Sequence, residues 1–381
     1  MESCNTEVLQ TLAGWLKEAT SKPETTAKTS TLSRKANYWL ATVLDTWGSS
    51  PRAPGALWTW SAEHGCKGSL SGGCVEEDLV ERLDNNQYPA TKPSIIQYGI
   101  SEAETQRLKL PCGGLLTVLL EPITEIAAFL EHLDSLVKAL TLRQNVARRI
   151  NFHNGEARLI DVTSTTTLQF LSATHNSTKP TSDSLQFIEH TLSPNHRLLI
   201  IGANQTAEYL ALFGKSLNYE IWVCDPRENA FDQWPHPWSF NSQAMPDDLI
   251  RASVHDHLSA ITTVAHDPRI DDMALMEALR TDAFYIGAMG SKRTSEKRRA
   301  RLQQLDLSPQ EIDRLHAPIG KSIGSKTPAE IAIAIWADIV QHQHQHCPQL
   351  KTHPVESQNA VPLAENKSAA HSLEAAMECN Q

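Results

Sequence analysis

The sequence predicts an α/β fold: an N-terminal α+β domain followed by a C-terminal Rossmann-like, doubly wound domain. Three observations predict it. Beyond residue 197, apolar strand-like runs alternate with helical stretches, opening on Arg197-Leu198-Leu199-Ile200-Ile201 and a glycine turn. A second strand, Glu220 to Cys224, ends in Asp225, the acidic residue that a dinucleotide-binding βαβ unit carries about 20 residues past its turn. Before residue 123, by contrast, strand patterns are separated by loops rich in glycine, serine and proline.

Bulk properties bound the function. At 381 residues the chain is long enough for two or three domains. Its net charge of −10 disfavours nucleic acid and anionic membrane surfaces as partners. No apolar run reaches the roughly 20 residues that span a bilayer. The start, Met1-Glu2-Ser3-Cys4-Asn5, has no signal-peptide pattern. Seven cysteines without a C-x-x-C pair fit a reducing cytoplasm, not a disulfide scaffold or a zinc ribbon. A cytoplasmic protein is expected.

The chain divides by pattern into residues 1–35 (helix and polar linker), 36–123 (N-terminal domain), 124–186 (connecting region), 187–341 (Rossmann-like domain) and 342–381 (disordered tail). Val8, Leu9, Leu12, Trp15 and Leu16 predict an amphipathic helix over 6–17. Tyr38 to Asp45 reads as a buried strand that runs into a shaped loop carrying Ser49 and Arg52. Arg52 offers a forked donor for an oxyanion, or is a solvated loop arginine.

The stretch around which the first half is organised is Gly68-Ser69-Leu70-Ser71-Gly72-Gly73-Cys74, opening a helix marked by Val75, Leu79 and Leu83. Paired glycines can turn their N–H groups towards one point, making an anion nest beside a helix N-terminus. A thiol there has its thiolate favoured by the positive helix end, so Cys74 is a candidate reactive sulfur. The alternative is a Gly-Gly turn followed by a small buried cysteine. Pro111-Cys112-Gly113-Gly114, ahead of the apolar strand 115–121, is a second cysteine and glycine element. Residues 124–149 read as one or two helices, and 150–187 as strand-like pieces.

In the second half, Gly202-Ala203-Asn204 forms the first βα turn, with Asn204 in the position of the middle glycine. His266 and Asp267 end another strand, where open α/β sheets bind ligands. Gly287, Gly290 and Ser291, followed by cations at a helix start, make a candidate phosphate site. The arginines at 298, 299 and 301 are expected on a solvated face. The helix 328–340 is apolar nearly all round and is expected against the sheet or a second copy of the chain, so a homodimer is plausible. His342, His344, His346 and Cys347 give no closed ligand set and are expected to be incidental.

GSSPRAPGA, GSLSGGCVEEDLV and LPCGGLLTVLLEP, followed in order by RLLIIGANQTAEYLALFG, VCDPR, AHDPRIDD, YIGAMGSKR and HAPIGKSIGSKTPAEIAIAIWADIV, resemble the two domains of the XdhC/CoxI family. The resemblance covers roughly residues 38–122 and 187–340. It implies an accessory protein that binds molybdenum cofactor as cargo. Such a protein works with a cysteine desulfurase and delivers the cofactor to an apo molybdenum hydroxylase such as xanthine dehydrogenase. The family pattern carries onto Ser71, Gly72, Gly73, Cys74, Cys112, Gly113 and Gly114, and Asn204 departs from it. An oxygen-labile pterin with a phosphate and a thiophilic metal suits an anion nest, guanidinium contacts and a thiolate. This leads us to expect the cofactor between the two domains, held by the loops of Ser49, Arg52, Ser71, Cys74 and Cys112, with Cys74 or Cys112 near the metal. Gly202, Asn204, Asp225, His266, Gly287, Gly290 and Ser291 are the candidates on the other wall. The alternatives are a protein-interaction scaffold and an NAD(P)-dependent oxidoreductase. The second lacks an evident acid/base set beyond isolated His266 or His316.

Overall fold

The structure is a computed structural model that describes residues 5–21, 36–46, 52–99, 115–162, 167–172 and 185–346. Helix α1 (Asn5–Ser21) precedes a five-stranded antiparallel sheet made of β1 (Tyr38–Thr46), β2 (Leu57–Ser61), β3 (Gly65–Gly68), β4 (Ser94–Tyr98) and β5 (Leu116–Ile123), in the order β3-β2-β1-β5-β4. Both faces of this sheet are covered, and the strand sequences explain why. Helix α2 (Cys74–Asp84) buries Val75, Leu79 and Leu83 against Trp58, Trp60, Val118 and Leu120. The opposite face takes α1 and α3 (Ile126–Thr141), which meet Tyr38, Leu40, Leu57 and Ile123 through Val8, Leu9, Leu12, Leu133 and Leu136. A strand buried on both sides reads as continuous apolar sequence, as β1 does. The side chain of Asn5 fastens α1 further, donating to Gly55 O at 2.8 Å and accepting from Leu57 N at 3.0 Å.

Residues 124–149 contain one helix, α3, and then the start of a strand, where two helices are one expectation. Strands β6 (Val146–Asn151), β7 (Ala157–Ile160), β8 (Leu168–Ser172) and β9 (Leu185–Leu192) form a second antiparallel sheet in the order β7-β6-β9-β8. Ile150, Leu168, Leu185 and Ile188 pack with Leu44 and Leu119 of the first sheet. Between these layers Arg148, which is fully buried, makes a two-pronged ion pair with Glu121 at 2.9 and 3.1 Å. Burial, reinforced by the Arg148 charge, pushes His132 and His190 down to about 3, so both imidazoles are neutral beside the guanidinium.

The third sheet is parallel: β10 (Arg197–Ile201), β11 (Glu220–Cys224), β12 (Phe240–Ser242), β13 (Ser259–Thr263), β14 (Tyr285–Ala288) and β15 (Leu315–His316), in the order β12-β11-β10-β13-β14-β15. This is the doubly wound 3-2-1-4-5-6 order, so the topological switch point lies between β10 and β13. Its helices are α4 (Gln205–Ser216), α5 (Pro246–Ser253), α6 (Pro268–Ala278), α7 (Lys292–Gln303), the short α8 (Pro309–Asp313) and α9 (Pro328–His346). Helix α9 is apolar nearly all round because it sits within this chain. Trp336 packs against Gly214 and donates to Leu210 O at 3.0 Å, leaving Ile333 as its exposed large apolar residue. The helix also continues through His346, so residues 342–346 belong to it and not to a tail. Residues 347–381 lie outside the described residues. Arg143, one residue past the cap of α3, joins the front of the chain to this sheet, donating to Asn195 O at 3.0 Å and pairing with Asp256 and Glu220.

The expected solvated arginine face is not what forms. Arg298 is buried between Asp271 and Asp272 at 3.0 Å each and also donates to Met289 O. Arg299 donates to the carbonyls of Ile312 and Leu315, and Arg301 pairs with Asp272. Periodicity alone does not show this, because the carboxylate partners lie on α6, more than twenty residues away. Among the described residues, no helix is long and apolar enough to cross a membrane.

Candidate functional site

The Gly68–Cys74 loop does converge its amides on an anion, and the anion is its own Glu76. Glu76 Oε1 accepts from the amides of Leu70, Ser71 and Gly72 at 2.7, 3.0 and 3.2 Å and from Ser69 Oγ at 2.8 Å. Oε2 accepts from Gly73 N at 2.9 Å and Ser71 Oγ at 2.8 Å. Partial burial alone would raise this carboxyl. The amides of Ser71 and Leu70 and the two hydroxyls outweigh it and hold Glu76 at about 2. The anion nest inferred from Gly72 and Gly73 is therefore filled from within by Glu76. What the loop fixes instead is a backbone path. Gly72 and Gly73 adopt φ of 98° and 154°, which L side chains rarely take, and deliver Cys74 as the first residue of α2. Gly68, at φ 94°, cannot be replaced either, since a Cβ there would lie 2.3 Å from Leu57 O. Ser69 and Glu76 are the loop's working parts, and sequence reasoning misses both. The signal is present in the sequence, as a glutamate three residues past the pre-helical Gly73.

Arg52 lies half-buried in the loop between β1 and β2. Ser49, Cys112, Gly113 and Gly114 fall outside the described residues, so their relation to Cys74 rests on sequence alone.

At the carboxyl end of the parallel sheet, Gly202 has φ 103° and its Cα faces the Ala265 backbone, so closely that a Cβ would sit 2.5 Å from Ala265 Cα. Asn204 caps α4, accepting from Ala207 N at 3.1 Å, while its amide donates to Val264 O at 2.6 Å across the switch point. The residue in the middle-glycine position thus ties β10 to β13 and fills space where a pyrophosphate would approach. Asp225 is buried, and its oxygens accept from Ala203 N at 2.8 Å and from Arg227 N, Nε and Nη2 at 3.1, 2.9 and 2.6 Å. These bonds overcome burial and hold it below the usual carboxylate range. A ribose hydroxyl would have to displace Arg227. His266 is exposed with φ 62°, a left-handed conformation uncommon outside glycine, and Asp267 is used as the N-cap of α6, accepting from Arg269 N at 2.9 Å.

Of the candidate phosphate site, Gly287 is a packing glycine: a Cβ there would meet Ile319 Cδ1 at 2.5 Å, which closes that position to a ligand. Ser291 caps α7 through Thr294 N at 3.2 Å, and Gly290 lies against Thr294. The exposed Ser291, Lys292, Arg293 and Thr294 face solvent there. Two surface cavities, of about 300 Å3 near His196 and Tyr219 and about 430 Å3 between α1 and α3, lie away from all of these residues.

Both halves of this architecture match known sequences in order. Residues 32–99 match the XdhC and CoxI family and residues 198–339 match the XdhC Rossmann domain. The chain belongs to the XdhC/CoxI family. It is 25% identical over 331 residues to a Bacillus subtilis protein named as a probable xanthine dehydrogenase subunit, covering 79% of this chain and 92% of the relative. It is 24% identical over 310 residues to the Escherichia coli "Molybdenum cofactor insertion chaperone PaoD", covering 80% and 84%. A Bacillus halodurans crystal structure described as a xanthine dehydrogenase superposes with a TM-score of 0.66 at 25% identity, covering 90% of this chain and 97% of that one. The two family matches include the Gly68–Cys74 loop and the Rossmann domain.

Proposed function

We propose that this XdhC/CoxI chain binds molybdenum cofactor as cargo, supports its sulfuration in concert with a cysteine desulfurase, and delivers it to an apo molybdenum hydroxylase. The observation that carries the reading is the placement of Cys74 at the start of α2, behind a glycine turn locked by six hydrogen bonds to Glu76. A carrier of a thiophilic metal needs a sulfur on a fixed backbone, and a helix N-terminus favours its thiolate form. Similarity to a named molybdenum cofactor insertion chaperone over 80% of the chain supports the same reading. Cys112, with Gly113 and Gly114, is the second proposed thiol. Ser49 and Arg52 are proposed as contacts from the preceding loop.

On the Rossmann side the proposal is narrower than the sequence suggests. Gly202, Asn204 and Asp225 are committed to internal bonds, so we place no dinucleotide at the switch point. Ser291, with Lys292 and Arg293, keeps free surface and is the stronger candidate on that side. The test is to load the purified chain with molybdenum cofactor under anaerobic conditions and measure retained molybdenum and pterin. Cys74→Ala and Cys112→Ala are each expected to retain severalfold less. Undiminished retention in both removes the thiols from binding. NADH and NADPH titrations are expected to show no saturable binding, and tight binding with turnover would favour an oxidoreductase.

A further inference from the structure

Away from the cysteine loop, three ligand-bearing side chains converge at the β15 edge of the parallel sheet. His316 comes from β15, while Asp338 and His342 come from α9, where a spacing of four puts them on one face. One ligand atom of each lies within 4.8 Å of the other two. His316 Nδ1 is 3.3 Å from Asp338 Oδ2, and the two imidazoles meet edge to face with centroids 4.2 Å apart. The surroundings hold His316 and Asp338 from several sides. Tyr285 stacks on His316 at 4.5 Å and donates to Asp338 Oδ2 at 2.8 Å, and Lys321 Nζ pairs with Oδ1 at 2.8 Å. Asp338 is buried, whereas His316 and His342 are half-buried and reachable from solvent.

We propose that His316, Asp338 and His342 form a site for a divalent transition-metal ion of the zinc, cobalt or nickel type. Two imidazoles and one carboxylate suit these ions and not magnesium or calcium, which take oxygen ligands. Zinc–ligand bonds near 2 Å in a tetrahedron place ligand atoms roughly 3.3 Å apart. The observed cluster therefore has to contract by at most about 1.5 Å. His342 also meets the Tyr285 ring edge to face, with centroids 5.8 Å apart. Lys321 on Oδ1 and the Tyr285 hydroxyl supply the outer contacts that orient a metal-bound carboxylate. Water completes the coordination. The ion would cross-link the 316–324 segment to α9, two stretches already joined by Lys321 N donating to Ala334 O at 3.0 Å. Alternating His342, His344 and His346 does not predict this set, because its other two members come from β15 and from an aspartate one helical turn earlier.

The test titrates metal-free, full-length protein with Zn2+ by calorimetry and with Co2+ by visible absorption. One saturable site in the micromolar range or tighter is expected, with the d–d bands of a low-symmetry Co2+ centre and an upward shift in melting temperature. His342→Gln and His316→Gln should each weaken binding at least tenfold. The His342→Gln protein should keep the metal-free melting temperature of the parent. The double variant His344→Ala/His346→Ala should bind within twofold of the parent. Absence of a saturable site overturns the proposal. So does unchanged affinity in both glutamine variants, or loss of binding in the His344/His346 variant.

Discussion

Replacing Glu76 by glutamine removes one charge and keeps the side chain's size, so it isolates what holds the cysteine loop. Six donors converge on this carboxylate, four of them backbone amides of residues 70–73. A glutamine can satisfy one cluster only. With its carbonyl in the Oε1 position, its NH2 faces the Gly73 N–H, and two donors oppose each other. The carboxyl sits at about 2 instead of 4.5, a difference of roughly 3 kcal/mol at 1.36 kcal/mol per pH unit. Screening at this partly exposed site brings it to about 2–3 kcal/mol. Because the folded value lies below the unfolded one, this stabilisation is fully present above pH 4.5 and is lost as the pH falls towards 2. Urea unfolding at pH 7 should therefore show Glu76→Gln less stable by about 2–3 kcal/mol, with the gap closing towards pH 2. Hydrogen exchange should localise the effect to residues 70–73, whose amides should open roughly 30- to 150-fold more readily. A loss below about 0.5 kcal/mol, or a gap that persists unchanged at the acid end, refutes the reasoning.

Arg148→Met should cost about 3–5 kcal/mol in chemical denaturation, because it leaves Glu121 charged and buried. The double change Arg148→Met/Glu121→Leu should recover much of that loss, and a double variant as unstable as the single one contradicts the pairing. Asn204→Ala should cost about 1–2 kcal/mol through the lost α4 cap and the broken bond to Val264, read by thermal melting of the Rossmann domain. His132 and His190 are held down to about 3, so the unfolded chain takes up protons first and stability should fall as pH drops from 6.5 towards 3. His132→Gln should flatten that slope in pH-dependent urea titrations, and an unaltered slope assigns the acid sensitivity elsewhere.

Much of the architecture is legible in the sequence because it is local. Alternating strands and helices from Arg197 onward and the glycine turn before Cys74 each declare themselves within a few residues. What sequence does not reveal is which partner a polar group will find. Arg298 reads as one cation in a basic run, and only the docking of α6 on α7 turns it into the buried centre of an ion-pair cluster. Gly287 reads as a phosphate-loop glycine, yet its missing Cβ makes room for Ile319, thirty-two residues on. The Gly72–Gly73 nest is legible as an anion site, and its occupant follows once Glu76 is read as the residue reaching back to the amide of Gly73. His342 looks incidental in a histidine run and acquires partners only when β15 is laid beside α9.

The most direct measurement of the central claim is the molybdenum and pterin content of the chain purified anaerobically from cells that make the cofactor. The account predicts close to stoichiometric molybdenum and pterin on the parent protein, and a severalfold lower content on a Cys74→Ala/Cys112→Ala variant that melts at the parent temperature. A parent protein free of both, or a folded double variant carrying the full complement, contradicts it.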